Sequence, residues 1–219
     1  QQSPNNAAIR TELGISRLAQ GDSRAMADLQ AAADMEGSSS RADTFIILNQ
    51  LRQQQFDAAL VSITTLEKKQ GADPLIWNYR GAAYLGKQDA VRARDSFSQA
   101  LKLDPRDIAA LSSRCYVLAI AGAFDKALAY CNEALRIRPN TASILDSRGF
   151  TYLKMGSPDE AIAAFDAALQ IDRKMASSLY GRGTAKRLKG DATGGDADIE
   201  AARAIRPSVA DEMAQIGIN

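Results

Sequence analysis

The sequence contains no histidine. That removes imidazole general bases, Ser-His-Asp triads and almost every zinc site not built from cysteines or carboxylates. Only two cysteines occur, Cys115 and Cys131, too few for a four-thiolate zinc site within one chain. No cofactor, metal or catalytic residue is therefore expected. Apolar runs are short and none approaches the ~18 residues that a bilayer span requires. Charge of one sign is not in excess either: 27 Lys and Arg stand against 26 Asp and Glu. Residues 1–105 carry 12 of each sign, and 106–219 carry 15 basic and 14 acidic residues. With no basic half to follow a phosphate backbone, nucleic-acid binding is not expected. The chain opens on Gln1-Gln2-Ser3-Pro4 rather than Met, which reads as a processed or excerpted start. Prolines number only six, in a sequence rich in Ala, Leu, Gln and Arg, and this favours helix.

What is present is a period. Gly81, Cys115, Gly149 and Gly183 lie 34 residues apart, as do Arg80, Arg114, Arg148 and Arg182. Ala100, Ala134, Ala168 and Ala202 keep the same step, and so do Phe97, Cys131, Phe165 and Ile199. Gly122, Gly156 and Gly190 mark a turn inside three of the units. On either side of that turn runs an amphipathic stripe at helical spacing, such as Trp77, Gly81, Tyr84 and then Ala93, Phe97, Ala100, Leu101. Each unit is a helical hairpin that cannot bury its apolar faces alone, but stacked neighbours can.

The stretch "WNYRGAAYLGKQDAVRARDSFSQALKLDP" resembles the tetratricopeptide repeat (TPR) through Trp77, Gly81, Tyr84, Ala93, Phe97, Ala100 and Pro105. Units 74–107, 108–141, 142–175 and 176–209 share its register without gaps. Unit 40–73 follows it more weakly through Phe56, Ala59 and Ile63, with Ile47 where the small residue belongs. A first unit, about 7–39, fits through Leu13, Gly14, Gly21, Ala25, Leu29 and Ala32, with one residue missing from its turn. The resemblance implies an all-α, right-handed superhelical TPR solenoid of about six helical hairpins forming a single array. A capping helix over 208–217 is expected at its end, N-capped by Ser208. The segment "MEGSSSRAD", 35–43, reads as the loosest connection. "KGDATGGDADIE" lacks a phosphate-loop lysine-serine, and its Gly194-Gly195 pair reads as a close approach of two helices.

In a TPR hairpin the slots of Cys115 and Cys131 face each other, where neighbouring units set glycine against phenylalanine. Two readings follow: a disulfide, or two buried thiols packing as small apolar residues. A disulfide would imply an oxidising compartment, the periplasm of a bacterium above all. The run beginning "SRCYVLAIAGAFDKALAYC" is similar to exported proteobacterial TPR proteins. The region from "RLAQGDSRAMADLQAAA" to "KLDP" resembles TPR lipoproteins of exopolysaccharide and PEP-CTERM systems, which would place a lipid anchor upstream. The alternative location is the cytoplasm.

The arginine column sits near the aromatic packing positions and reads as packed stems with paired heads; a ligand-binding ladder is the other reading. The inner, concave face should be lined by the first helices of the hairpins. It offers Asn78 and Tyr79, then Ser112, Ser113 and Tyr116, then Ser143, Asp146 and Phe150, then Ser177 and Tyr180. Small, hydroxyl-bearing and dotted with aromatic rings, this lining suits an extended peptide. The expected partner-contacting residues are Asn78, Tyr79, Tyr116, Asp146, Phe150 and Tyr180. TPR co-chaperones hold a peptide's carboxylate with Lys and Asn at such positions, and here Asn78 stands alone. The expected function is a non-enzymatic scaffold that binds a partner protein or peptide, with envelope or exopolysaccharide assembly as its setting. The alternative is the regulatory or substrate-presenting arm of an enzyme complex. The oligomeric state is open.

Overall fold

The protein is described by a computed structural model covering residues 4–35 and 40–218. The core of the loose connection expected at 35–43, residues 36–39, lies outside the described residues, as do residues 1–3. All regular structure among the described residues is α-helical. The chain forms two compact units, residues 1–103 and 104–219. The first holds α1 (Pro4–Ala19), α2 (Ala25–Ala33), α3 (Arg41–Arg52), α4 (Phe56–Gln70), α5 (Pro74–Gly86) and α6 (Ala90–Leu103). The second holds α7 (Ile108–Ile120), α8 (Phe124–Ile137), α9 (Ala142–Met155), α10 (Pro158–Ile171), α11 (Ala176–Leu188), α12 (Ala192–Ile205) and α13 (Val209–Gln215). The hairpins are α1/α2 through α11/α12; their turn residues from Gln54 to Gly190 keep the 34-residue step, and Gly21 lies 33 residues before Gln54.

Local chemistry sets the helix ends. The Asp73 carboxylate accepts from the Ile76 N–H at 2.7 Å, and Pro74 follows it in the first turn of α5. Asp107 caps α7 through the N–H groups of Ala109 and Ala110, and Asp191 caps α12 through Gly194. The expected Ser208 cap does not form. Ser208 lies in the right-handed region and its hydroxyl donates to Glu212 at 2.7 Å, so it is drawn into the helix side rather than the helix end.

Inside every hairpin the turn is made by one left-handed residue. Gly21, Gly122, Gly156 and Gly190 take φ between 71° and 90°. In the second and third hairpins the same slot holds Gln54 and Gln88, at φ 57° and 61°. A side chain in that region costs roughly 1–2 kcal/mol, so the two glutamines are held there by the hairpins they close.

Packing across each hairpin uses one facing pair. A Cβ on Gly81 would lie 2.5 Å from the Phe97 ring, and one on Gly149 would lie 2.8 Å from the Phe165 ring. At Gly183 the nearest atom is the Gly195 carbonyl, 2.6 Å away, so the glycine pair of α12 lets the backbones of α11 and α12 approach. In α3/α4 the pair is Ile47 and Ile63, which are fully buried with Ala59, Leu66, Ile76 and Ala83. Each ring or branched chain enclosed this way contributes about 1.5–3 kcal/mol. Between hairpins, the first helix packs on both helices of the hairpin before it: α3 on α1 and α2, α5 on α3 and α4, α9 on α7 and α8, α11 on α9 and α10.

Candidate functional site

In the second unit α7, α9 and α11 lie side by side and present one surface, whose two ends differ in character. At the end formed by the starts of α7 and α9 there is an open cleft of about 610 Å³, lined by Arg106, Ser112, Ser113, Arg138, Thr141 and Ser143 among others. Two acidic residues also border it, but both serve the backbone: Asp104 accepts from the Arg106 N–H and Asp107 caps α7. The cleft thus offers hydroxyl groups, which donate or accept, two guanidinium groups, which only donate, and two carboxylates, which only accept. That mixed set suits the carbonyls and amides of an extended peptide backbone.

At the other end the surface is covered. Phe150 and Tyr180, expected as open contacts, are only 4% and 6% exposed. Tyr116 packs on Phe150 with ring centroids 5.2 Å apart. Burial, with the negative charges of Asp146 and Glu212, pushes the Tyr116 hydroxyl up to about 12. Asp146 keeps part of its surface, yet protein hems in its carboxylate, and this enclosure raises its pKa. Hydrogen bonds from Ser178, at 2.5 Å, and Ser177 act against that rise, as does the Arg206 charge. The covering element is the stretch that ends the described chain. α13 packs on α11 and α12, Lys154 of α9 donates to the Ile216 carbonyl at 3.0 Å, and Val209 and Ile218 are buried.

In the first unit Asn78 and Tyr79 are half-buried. Tyr79 packs against the Ile47, Ile63 and Ile76 cluster, and burial together with the Asp73 charge raises its pKa. The sequence placed this ring on an open face; much of it is spent on packing.

Cys115 and Cys131 are joined in a disulfide, with Cα atoms 5.3 Å apart. The bridge ties α7 to α8. The arginine column is engaged differently at each level. Arg80 pairs with Glu67 at 2.7 Å and lies over the Trp77 ring. Arg114 donates to the Tyr130 hydroxyl at 3.2 Å. At Arg148 the Nε is buried without a hydrogen-bond partner. Arg182 joins Asp198 and Asp166 at 2.6 and 2.7 Å, and Lys186 adds a second cation to Asp198 at 2.8 Å. Hydrogen bonding to Asp198 raises the Arg182 pKa. Burial works to raise Asp198, but hydrogen bonds from Arg182 and Lys186 outweigh it and lower its pKa. The sequence signal for this cluster was available: an acid stands 16 residues before and after Arg182 and at neither place around Arg148. A second cleft, of about 420 Å³, borders the cluster at Asp166, Gln170, Arg173 and Arg182.

Among the described residues no helix is long and apolar enough to cross a membrane. Models of the tetratricopeptide repeat family match residues 74–107, 106–174 and 148–210, a run covering more than half of the chain. No curated protein matches the chain. Solved structures do. A chain of the Cut9–Hcn1 hetero-tetramer of the APC/C superposes with a TM-score of 0.84 at 17% identity, over 99% of this chain. This chain spans 44% of that one's length. A tetratricopeptide repeat protein from Parabacteroides merdae gives a TM-score of 0.71 at 18% identity, over 96% of this chain and 87% of its own. PilF from Pseudomonas aeruginosa gives 0.71 at 16% identity, over 96% of this chain and 98% of its own. At such identities the likeness is one of fold.

Proposed function

The chain belongs to the tetratricopeptide repeat family, whose members generally mediate protein–protein interactions, and from that premise we propose that it is a non-enzymatic scaffold binding an extended segment of a partner protein on the inner face of its second unit. The observation that carries this reading is the open cleft of about 610 Å³ at Ser112, Ser113 and Ser143, flanked by Arg106 and Arg138. An extended strand needs partners for its backbone carbonyls and amides, and hydroxyl side chains serve both. In the first unit, taken by itself, Asn78 and Tyr79 would offer separate contacts through their exposed portions.

The setting belongs to the same proposal. The Cys115–Cys131 bridge suits an oxidising compartment, and with the likeness to exported TPR proteins it supports a periplasmic scaffold in envelope or exopolysaccharide assembly. The test is selection from a random peptide library on the purified oxidised chain, followed by rebinding to Ser113→Trp, which fills the cleft. Selected peptides should lose at least tenfold in affinity for a variant of unchanged helicity. Peptides that bind parent and variant alike would place recognition elsewhere and overturn the reading.

A further inference from the structure

Residues Asp146, Phe150 and Lys154 are four apart and form one stripe along α9. The segment after α12 reaches the end of that stripe at Lys154, while α13 itself packs on α11 and α12. Arg206 acts on Asp146, Glu212 acts on Tyr116, whose ring packs on Phe150, and the Ile216 carbonyl receives the Lys154 ammonium at 3.0 Å. The segment is thus tied to α9 by one hydrogen bond, and its charges are felt at Asp146 and Tyr116.

α13 is also unlike the first helix of another hairpin. It has 7 residues, where α7, α9 and α11 have 13, 14 and 13. Two aliphatic side chains anchor it, Val209 at 0% and Ile218 at 4% exposure. The Lys154 bond adds a polar tie, while an Arg206–Glu212 pair at 3.2 Å, with both side chains over two-fifths exposed, lies within the segment itself. A helix of two turns does not persist on its own in water, so its shape is imposed by the face it lies on. The face therefore has what a docked amphipathic peptide requires: aromatic rings, a lysine for a terminal carbonyl, and room for an aliphatic group at each end.

We propose that the segment 206–218 is an intramolecular occupant of a second peptide site, the inner face of α7, α9 and α11, which a partner takes by displacing it. The partner is a segment like this one: a two-turn helix opening on an aliphatic residue, with a carboxylate in its first turn, that leaves the helix through a left-handed glycine and ends on a second aliphatic residue, the pattern of Val209, Glu212, Gly217 and Ile218. This deepens the reading of the chain as a peptide-binding scaffold and rests on it. The intramolecular segment lowers the face's apparent affinity for any such helix, because binding draws only on the fraction of molecules with the segment released.

The probe is a labelled synthetic peptide of residues 206–218, titrated into the full oxidised chain. The parent should bind it weakly. Val209→Asp with Ile218→Asp, which releases the in-chain copy, should bind it at least tenfold more tightly. A photoreactive group at the Met213 position of the peptide should crosslink to residues of α7, α9, α11 or α12, the last two being the helices on which α13 packs. A released variant of native helicity that binds no better than the parent overturns the proposal, as does crosslinking confined to other helices. If the double variant loses helicity, Ile218→Ser is used in its place, with the same two outcomes deciding. Rebinding of this peptide alongside failure of the library selection would sink the open-cleft reading alone; the opposite pair of results would sink this one alone.

Discussion

Two adjacent hairpins of one register, α5/α6 and α7/α8, solve the same packing problem differently. In the first, Gly81 yields the space that the Phe97 ring fills. In the second, two small residues leave that space empty and a covalent bond closes it. The ring stabilises by removing apolar surface from water, a term present in any redox state. The bridge acts mainly by restricting the unfolded chain, and it vanishes on reduction. Identical geometry can thus be reached through solvent or through the chain's own entropy, and the two hairpins should answer differently to the same perturbation.

The largest effect is expected from Phe97→Ala, which empties the slot between α5 and α6 and should cost about 3–5 kcal/mol in denaturant unfolding. The cost should be the same with and without reductant; dependence on reductant would show that the two hairpins are not separable. Reduction of Cys115–Cys131 should cost about 3 kcal/mol or less for a loop of this length. A thiol count on the unfolded, unreduced protein from an oxidising compartment should find none, and two titratable thiols would refute the bridge. Carrying the neighbour's solution across, Cys115→Gly with Cys131→Phe should abolish the response to reductant while helicity by circular dichroism is kept. Gln88→Gly should stabilise by about 0.5–1 kcal/mol, since glycine takes the left-handed turn without a Cβ clash and loses part of that gain to backbone entropy.

The smallest effect concerns Asp146. Its folded pKa is raised by burial above the unfolded value, so the native state holds its proton to higher pH. Stability from this group is therefore present at low pH and is lost as pH rises through the folded pKa. Asp146→Asn removes that loss and still accepts from Ser178. The variant should melt with the parent near the ordinary carboxylate pKa, about 4, and above it near pH 8. A gap that widens toward acid instead would mean that Arg206 and the serines outweigh burial.

Much of this was legible in the sequence, and the parts that were not share a cause. The register from Trp77 to Pro207, the glycine–phenylalanine pairs and the turn glycines are local or strictly periodic, so spacing alone exposes them. Gln54 and Gln88 carry the same turn as Gly122, but glutamine bears no turn signature and only the backbone shows its φ. The inner-face assignment placed Phe150 and Tyr180 by helical wheel. A wheel knows which side of a helix faces inward and nothing of what comes to lie on it. The covering segment is set by contacts from Lys154 to Ile216, 62 residues apart, which no periodic pattern encodes.

The bridge has one more consequence, which concerns force rather than free energy. A protein pulled by its ends unravels by releasing chain length. The residues between Cys115 and Cys131, separated by 16 positions and held with Cα atoms 5.3 Å apart, cannot be paid out while the bond is intact. At up to about 3.6 Å per extended residue, roughly 50 Å of contour length stays hidden. The turn of α7/α8 lies wholly inside that closed loop, so tension passes through the sulfur atoms and skips it. Under load this hairpin behaves as a knot in the thread, while its neighbours, held only by packing, can open along their whole length.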